Sequence, residues 1–196
     1  MEFGRIERVD HVDFSLPPPV PARSARLGRD AALHVRLGAP AWGRRSWVGR
    51  VYPPRSTPDA WLAAYASHYG AIELNSTFYA VPPASTIDAW VAAVPAVFRF
   101  CPKLPKTVSH ARGLGLGTEA LARAIDAFAR FGEKLGPVWL QAPPQLGPRD
   151  LPQLAAFVAQ WPRALPLAVE LRDPAWFAAG YVAPAAADLL AAFDVG

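Results

Sequence analysis

Glu73 and Glu170 are carboxylates set in short apolar runs, Ala71-Ile72-Glu73-Leu74-Asn75 and Leu167-Ala168-Val169-Glu170-Leu171-Arg172. Two carboxyl groups in different surroundings can have their proton affinities pushed apart, which suits an acid and base pair. Lys103 stands in a third such run, Phe98-Arg99-Phe100-Cys101-Pro102-Lys103. Lys103 and Arg172 can hold an anionic group, Lys as a point charge and Arg as a planar fork, while Asn75 and Gln141 donate further hydrogen bonds. Glu73, Lys103 and Glu170 are therefore the candidate catalytic residues, and Asn75, Gln141 and Arg172 candidate substrate-binding ones. The same residues can equally form a self-contained salt-bridge network.

Further binding candidates come from neighbouring loops. Trp42 opens the run 42–52, which mixes aromatic and basic residues and reads as a packed lid; the alternative is stacking on a sugar or base. Tyr79 and Trp176 are expected at the same mouth. His110, in a Gly-rich stretch, can serve as acid, base or ligand. His11, His34 and His68 are scattered, so a multi-histidine metal centre is poorly supported, and an oxygen-rich Mg or Mn site through Glu73 and Glu170 stays open. No Gly-x-Ser-x-Gly elbow, phosphate-loop pattern or zinc-protease histidine pair is present, and the cofactor is left open.

The elements that must position these groups alternate. Strand-like runs fall near 34–39, 71–75, 97–103, 137–142 and 167–172, with helical runs between them. Thr57-Pro58 reads as a helix start with Gly70 as its stop, Ser85 and Thr118 as caps of the next two helices, and Asp150 and 185–193 as the last two. Alternating strands and helices imply parallel strands joined by right-handed crossovers. The spacing suits a TIM-barrel-like (β/α) fold, with about five βα units rather than eight. An open doubly wound sheet is the alternative, but its Gly-rich phosphate turn is missing.

Side chains alternate across a strand. Val35, Leu37, Ile72, Leu74, Phe98, Phe100, Val138, Leu140, Leu167, Val169 and Leu171 are expected outward, under helices. The opposite parity places Arg36, Glu73, Asn75, Arg99, Lys103, Gln141, Glu170 and Arg172 inward, with Gly38 and Cys101 as fillers. Arg36 and Arg99, early in their strands, are expected as a paired plug at the closed end.

The chain of 196 residues is 52% hydrophobic and 18% charged, enough apolar material for one sizeable core, here assigned to 34–196. Residues 1–33, with Leu16-Pro17-Pro18-Pro19, read as a poorly ordered leader. No run is long enough to span a membrane and the N-terminus lacks the apolar centre of a signal peptide, so a cytoplasmic protein is expected. A single cysteine, Cys101, excludes an internal disulfide and a cysteine-based zinc site. The net charge of +4 permits anionic partners.

The run Gly38 to Gly43 with Tyr52-Pro53, the run Glu73-Leu74-Asn75-Ser76-Thr77-Phe78-Tyr79, Trp90, Phe98-Arg99-Phe100 with Lys103, and Thr107 with His110 together resemble the domain of unknown function 72 family, also called YecE-like proteins. The resemblance continues through Leu135-Gly136-Pro137, Gln141-Ala142-Pro143-Pro144, and Val169-Glu170-Leu171-Arg172 with Trp176-Phe177. It implies a TIM-barrel-like fold, an unassigned activity, and recurrent polar positions at Glu73, Asn75, Lys103, His110, Gln141, Glu170 and Arg172. Ala39-Pro40-Ala41 departs from the family's small hydroxyl or glycine residues. Five units in place of eight lead to the expectation of a fragment or of a gap covered by another subunit, with self-association through open edges. The leading functional expectation is an acid/base or hydrolytic enzyme on a small anionic, sugar- or phosphate-like substrate. A nucleic-acid-binding module using Arg44, Arg45, Arg50 and the nearby tryptophans, a metal-dependent nuclease, or a non-catalytic ligand-binding protein are the alternatives.

Overall fold

The computed structural model describes residues 35–178 and 181–196; the expected leader over 1–33 lies outside the described residues. Five short strands run parallel in sequence order: β1 (Gly38–Ala39), β2 (Ala71–Leu74), β3 (Arg99–Pro102), β4 (Val138–Gln141) and β5 (Leu167–Glu170). Two ladders, β1-β2-β3 and β4-β5, are joined by the bridges Phe100↔Leu135 and Lys103↔Trp139. Helices cross between the strands: α1 (Pro58–Ala66), α2 (Ser76–Tyr79), α3 (Ala84–Ala93), α4 (Lys106–Ser109), α5 (Glu119–Ala129), α6 (Leu151–Gln160) and α7 (Pro184–Ala192). The parallel α/β organisation is the expected one. Among the described residues β1 and β5 do not pair, so the array is open and no closed barrel is formed.

Local chemistry explains several boundaries. Thr118 caps α5, its Oγ1 accepting the Leu121 N–H at 3.3 Å. Asp150 accepts the Gly147 N–H at 3.0 Å just before α6. Ser85 does not cap α3; that helix begins one residue earlier, behind Pro83, so Ser85 lies inside it. Gly38 is required by close approach, because a Cβ there would meet the Ala71 carbonyl oxygen at 2.2 Å. Tyr65 of α1 locks the same contact: its hydroxyl accepts the Ala39 N–H at 2.6 Å and donates to the Ala71 carbonyl at 2.8 Å.

The alternation holds in the central strands. Ile72, Leu74, Phe98, Phe100, Val138, Leu140 and Leu167 are buried under the helices. It fails at the edge, where Val35 and Leu37 are each 71% exposed, because only Gly38 and Ala39 of that run pair and no described helix covers the residues before them. The expected plug is also corrected. Arg36 Nε donates to the Val97 carbonyl at 3.3 Å, and Arg99 donates to the Ala96 and Phe98 carbonyls, both at 2.9 Å. Backbone oxygens at the amino ends of the strands take these guanidinium groups, with no carboxylate partner among the described residues.

A hairpin of β6 (Phe177–Ala178) and β7 (Tyr181–Val182) follows β5 and was not foreseen. On the far side of β5, the Gly196 N–H donates to the Leu167 carbonyl at 3.1 Å and the Val169 N–H to the Gly196 carbonyl at 2.8 Å. That two-bond pattern is parallel strand pairing. Arg36–Gly196 packs as one unit. Among the described residues, no helix is long and apolar enough to cross a membrane.

Candidate functional site

Glu73 projects from the carboxyl end of β2, opposite Cys101, and Lys103 follows β3 two residues further along. Lys103 Nζ lies 2.8 Å from Glu73 Oε1, with side chains only 10% and 26% exposed. The ammonium also sits 5.6 Å from the centroid of the Trp139 ring, within reach of a cation–π attraction. The backbone beneath it is pinned: the buried Thr77 hydroxyl lies 2.7 Å from both the Leu74 and the Lys103 carbonyl oxygens. Burial, then the neighbouring Glu73 carboxylate, push the Cys101 thiol up to about 11, partly offset by Arg36, so Cys101 is a protonated filler at neutral pH.

A second grouping stands on β4 and β5. Gln141 and Glu170 are register partners, and Gln141 Nε2 donates to Glu170 Oε2 at 2.8 Å. Arg172 Nε is 3.7 Å from Glu170 Oε1, with about a third of each side chain exposed (33% and 35%). His110 ends α4, its Nδ1 2.9 Å from Ser109 Oγ and its ring edge-on to Phe78 at 5.5 Å. Burial, then the Lys106 and Arg172 cations, hold its pKa below 6.5, so the imidazole is neutral at pH 7. Lys103 and Glu170 are two strands and two residues of register apart, which is about 10 Å across the sheet and about 7 Å along it. Two side chains of that reach can bracket a small ligand.

Glu73 and Asn75 also line a groove of about 550 Å³ walled by Trp42 and Trp90, with Arg44, Ser76 and Tyr79 at its rim. The two indoles meet edge to face at 5.2 Å. Asn75 belongs to the turn before α2 rather than to a strand. Tyr79 is 83% exposed. A smaller pocket of about 220 Å³ is lined by Gly38, Cys101, Trp139 and the same Glu73.

Trp176 is not at this mouth. It is buried, and its indole N–H donates to the Leu146 carbonyl at 2.6 Å. Asp173 caps the turn by accepting the Ala175 N–H at 2.9 Å, which turns the ring inward under the loop after β4. In the run 42–52, Trp47 stacks on Tyr65 at 6.3 Å and packs on Tyr69, leaving Arg44, Arg45 and Arg50 exposed without that ring to stack a base. No group of three His, Cys, Asp or Glu side chains suited to a metal is found among the described residues.

Trp90, Trp139 and Thr77 were missed as site residues. Trp139 shares the parity of Gln141 and was legible on that ground. Trp90 lies on a helix, where strand alternation gives no signal.

The family model described as "Protein of unknown function DUF72" matches residues 36–196. UPF0759 protein YecE of Escherichia coli K12 is 32% identical over 146 residues, 74% of this chain and 51% of that protein. UPF0759 protein YunF of Bacillus subtilis is 28% identical over 154 residues, 73% of this chain and 52% of that protein. The chain thus spans about half the length of the curated relatives it matches. Among solved structures, a DUF72 family protein of Enterococcus faecalis V583 superposes with a TM-score of 0.67 at 24% identity, covering 82% of this chain and 58% of that one. One from Thermotoga maritima MSB8 gives 0.62 at 22%, covering 81% and 61%. With the fold shared and the family model spanning β1 to the last residue, this chain belongs to the DUF72 (YecE-like) family of proteins of unknown function.

Proposed function

We propose that the chain carries the strand-end site of a TIM-barrel-like enzyme that performs acid/base chemistry on a small anionic, sugar- or phosphate-like substrate. The observation that carries this reading is Glu73, which lines an aromatic-walled groove and meets Lys103 at 2.8 Å, at the carboxyl ends of parallel strands. Trp42 and Trp90 offer apolar faces to a ring, and Asn75 and Arg44 offer polar contacts at its edge. Arg172 is more than hydrogen-bond distance from Glu170 and is free to turn toward an anion, with Gln141 holding the carboxylate in place. Glu170 is the base in this reading. The setting is cytoplasmic, and open strand edges favour self-association or a covering partner.

Untargeted metabolite turnover by mass spectrometry, on the protein with a bound screening hit, tests it. Glu170→Gln should abolish turnover, by a factor of about 100 or more, while leaving the fold intact. Unchanged turnover in that variant removes Glu170 from the chemistry. Nucleic-acid binding gains less support, since Trp47 is packed on Tyr65 and only Trp42 stands with the exposed arginines of the run.

A further inference from the structure

Three of the 20 Lys and Arg residues in this chain are lysines: Lys103, Lys106 and Lys134. Two of the three make specific contacts through the amine. Lys134 donates to the Val91 and Val94 carbonyls at 2.7 Å each. Lys106 is simply exposed. Lys103 is different: it is buried, its Nζ lies 2.8 Å from Glu73, and it stands over the Trp139 ring. Glu73 and Trp139 line the smaller pocket and Glu73 lines the larger groove as well, so Lys103 adjoins these pockets through the two side chains it contacts. An amine held only to attract an anion would be poorly placed there, because the Glu73 carboxylate already neutralises it and repels a second anion.

We propose that Lys103 is a nucleophile that forms an imine with a small carbonyl compound carrying an anionic group, an inference that rests on the acid/base reading of the same site. Glu73 takes one proton from the ammonium, and the freed amine attacks the carbonyl carbon. A carbon–nitrogen bond forms while the carbonyl π pair moves to oxygen, which receives a proton from nitrogen. Glu73 then returns its proton to the carbinolamine hydroxyl, the carbon–oxygen bond breaks, and water leaves. The net change is ammonium plus carbonyl to iminium plus water, with no oxidant or reductant. The iminium inherits the contact with the Glu73 carboxylate, Arg172 receives the substrate's anionic group, and Glu170 is placed to take a proton from the carbon next to the iminium.

The test is reductive trapping. The full chain is incubated with glyoxylate, and separately with pyruvate, in the presence of cyanoborohydride, and the three lysines are compared by peptide mass mapping. Lys103 should carry about tenfold or more of the adduct found on exposed Lys106, despite its burial, and Glu73→Gln should cut Lys103 labelling about tenfold. Label on Lys106 with none on Lys103 overturns the proposal, and needs no variant to fold. The two readings fail separately. Untrapped Lys103 alongside lost turnover in Glu170→Gln removes the imine alone, whereas trapped Lys103 alongside unchanged turnover keeps the imine and removes Glu170.

Discussion

Glu73 and Glu170 occupy equivalent places, each at the carboxyl end of a parallel strand with apolar neighbours facing the helices, yet their surroundings differ. Glu73 meets a buried ammonium at 2.8 Å, above backbone pinned by Thr77 and beside the Trp139 ring. Glu170 meets an amide at 2.8 Å and a guanidinium only at 3.7 Å, with a third of its side chain in water. Charges taken out of water need close, well-satisfied partners, so in the unliganded protein the first pair is strongly coupled. Exposed charges interact weakly and keep their freedom, so the second grouping retains capacity for a ligand. One alternation pattern therefore builds a rigid half and an adaptable half of a single rim.

The largest effect that sharpens this contrast is on stability. Lys103→Met leaves a mostly buried carboxylate without its cation, and we expect a loss of about 2–3 kcal/mol, less than a fully buried pair because Glu73 keeps some water contact. Arg172→Met should cost under about 1 kcal/mol. Urea denaturation of both variants checks the difference, and equal costs would break the comparison.

A smaller effect separates the halves by pH. The folded His110 holds its proton less tightly than an ordinary imidazole of pKa 6.5, through burial and then the Lys106 and Arg172 cations. On acidification the unfolded chain takes up this proton first, so the His110 contribution is full above the unfolded value and is lost as pH falls toward the lowered folded one. His110→Asn should flatten the fall in urea midpoint between about pH 7 and about pH 5. Arg172→Met should partly flatten it too, and Lys103→Met should not. A slope unchanged in His110→Asn would assign the acid sensitivity to other groups.

Much of this arrangement was legible because a two-residue period is hard to disguise: Ile72 and Leu74 against Glu73, and Val138 and Leu140 against Gln141, announce which face is which. What escaped has physical reasons. Val35 and Leu37 obey the alternation in sequence, but burial also requires a covering layer, and an edge strand with two paired residues has none. Asn75 and Trp176 lie just past strand ends, where parity lapses and a turn sets the direction of the side chain. Trp90 reaches the groove from a helix through packing against Trp42, a contact between segments 48 residues apart in numbering that no local pattern encodes. The α/β organisation was plain from the order of the runs, whereas closure depends on which edges pair.

The central claim, a strongly coupled half beside a weakly coupled half of one rim, is tested most directly by two double-mutant cycles on the unliganded protein, Glu73→Gln with Lys103→Met and Glu170→Gln with Arg172→Met. We expect a coupling of about 2 kcal/mol in the first cycle and under about 0.5 kcal/mol in the second. Couplings of the same size in both would contradict the account.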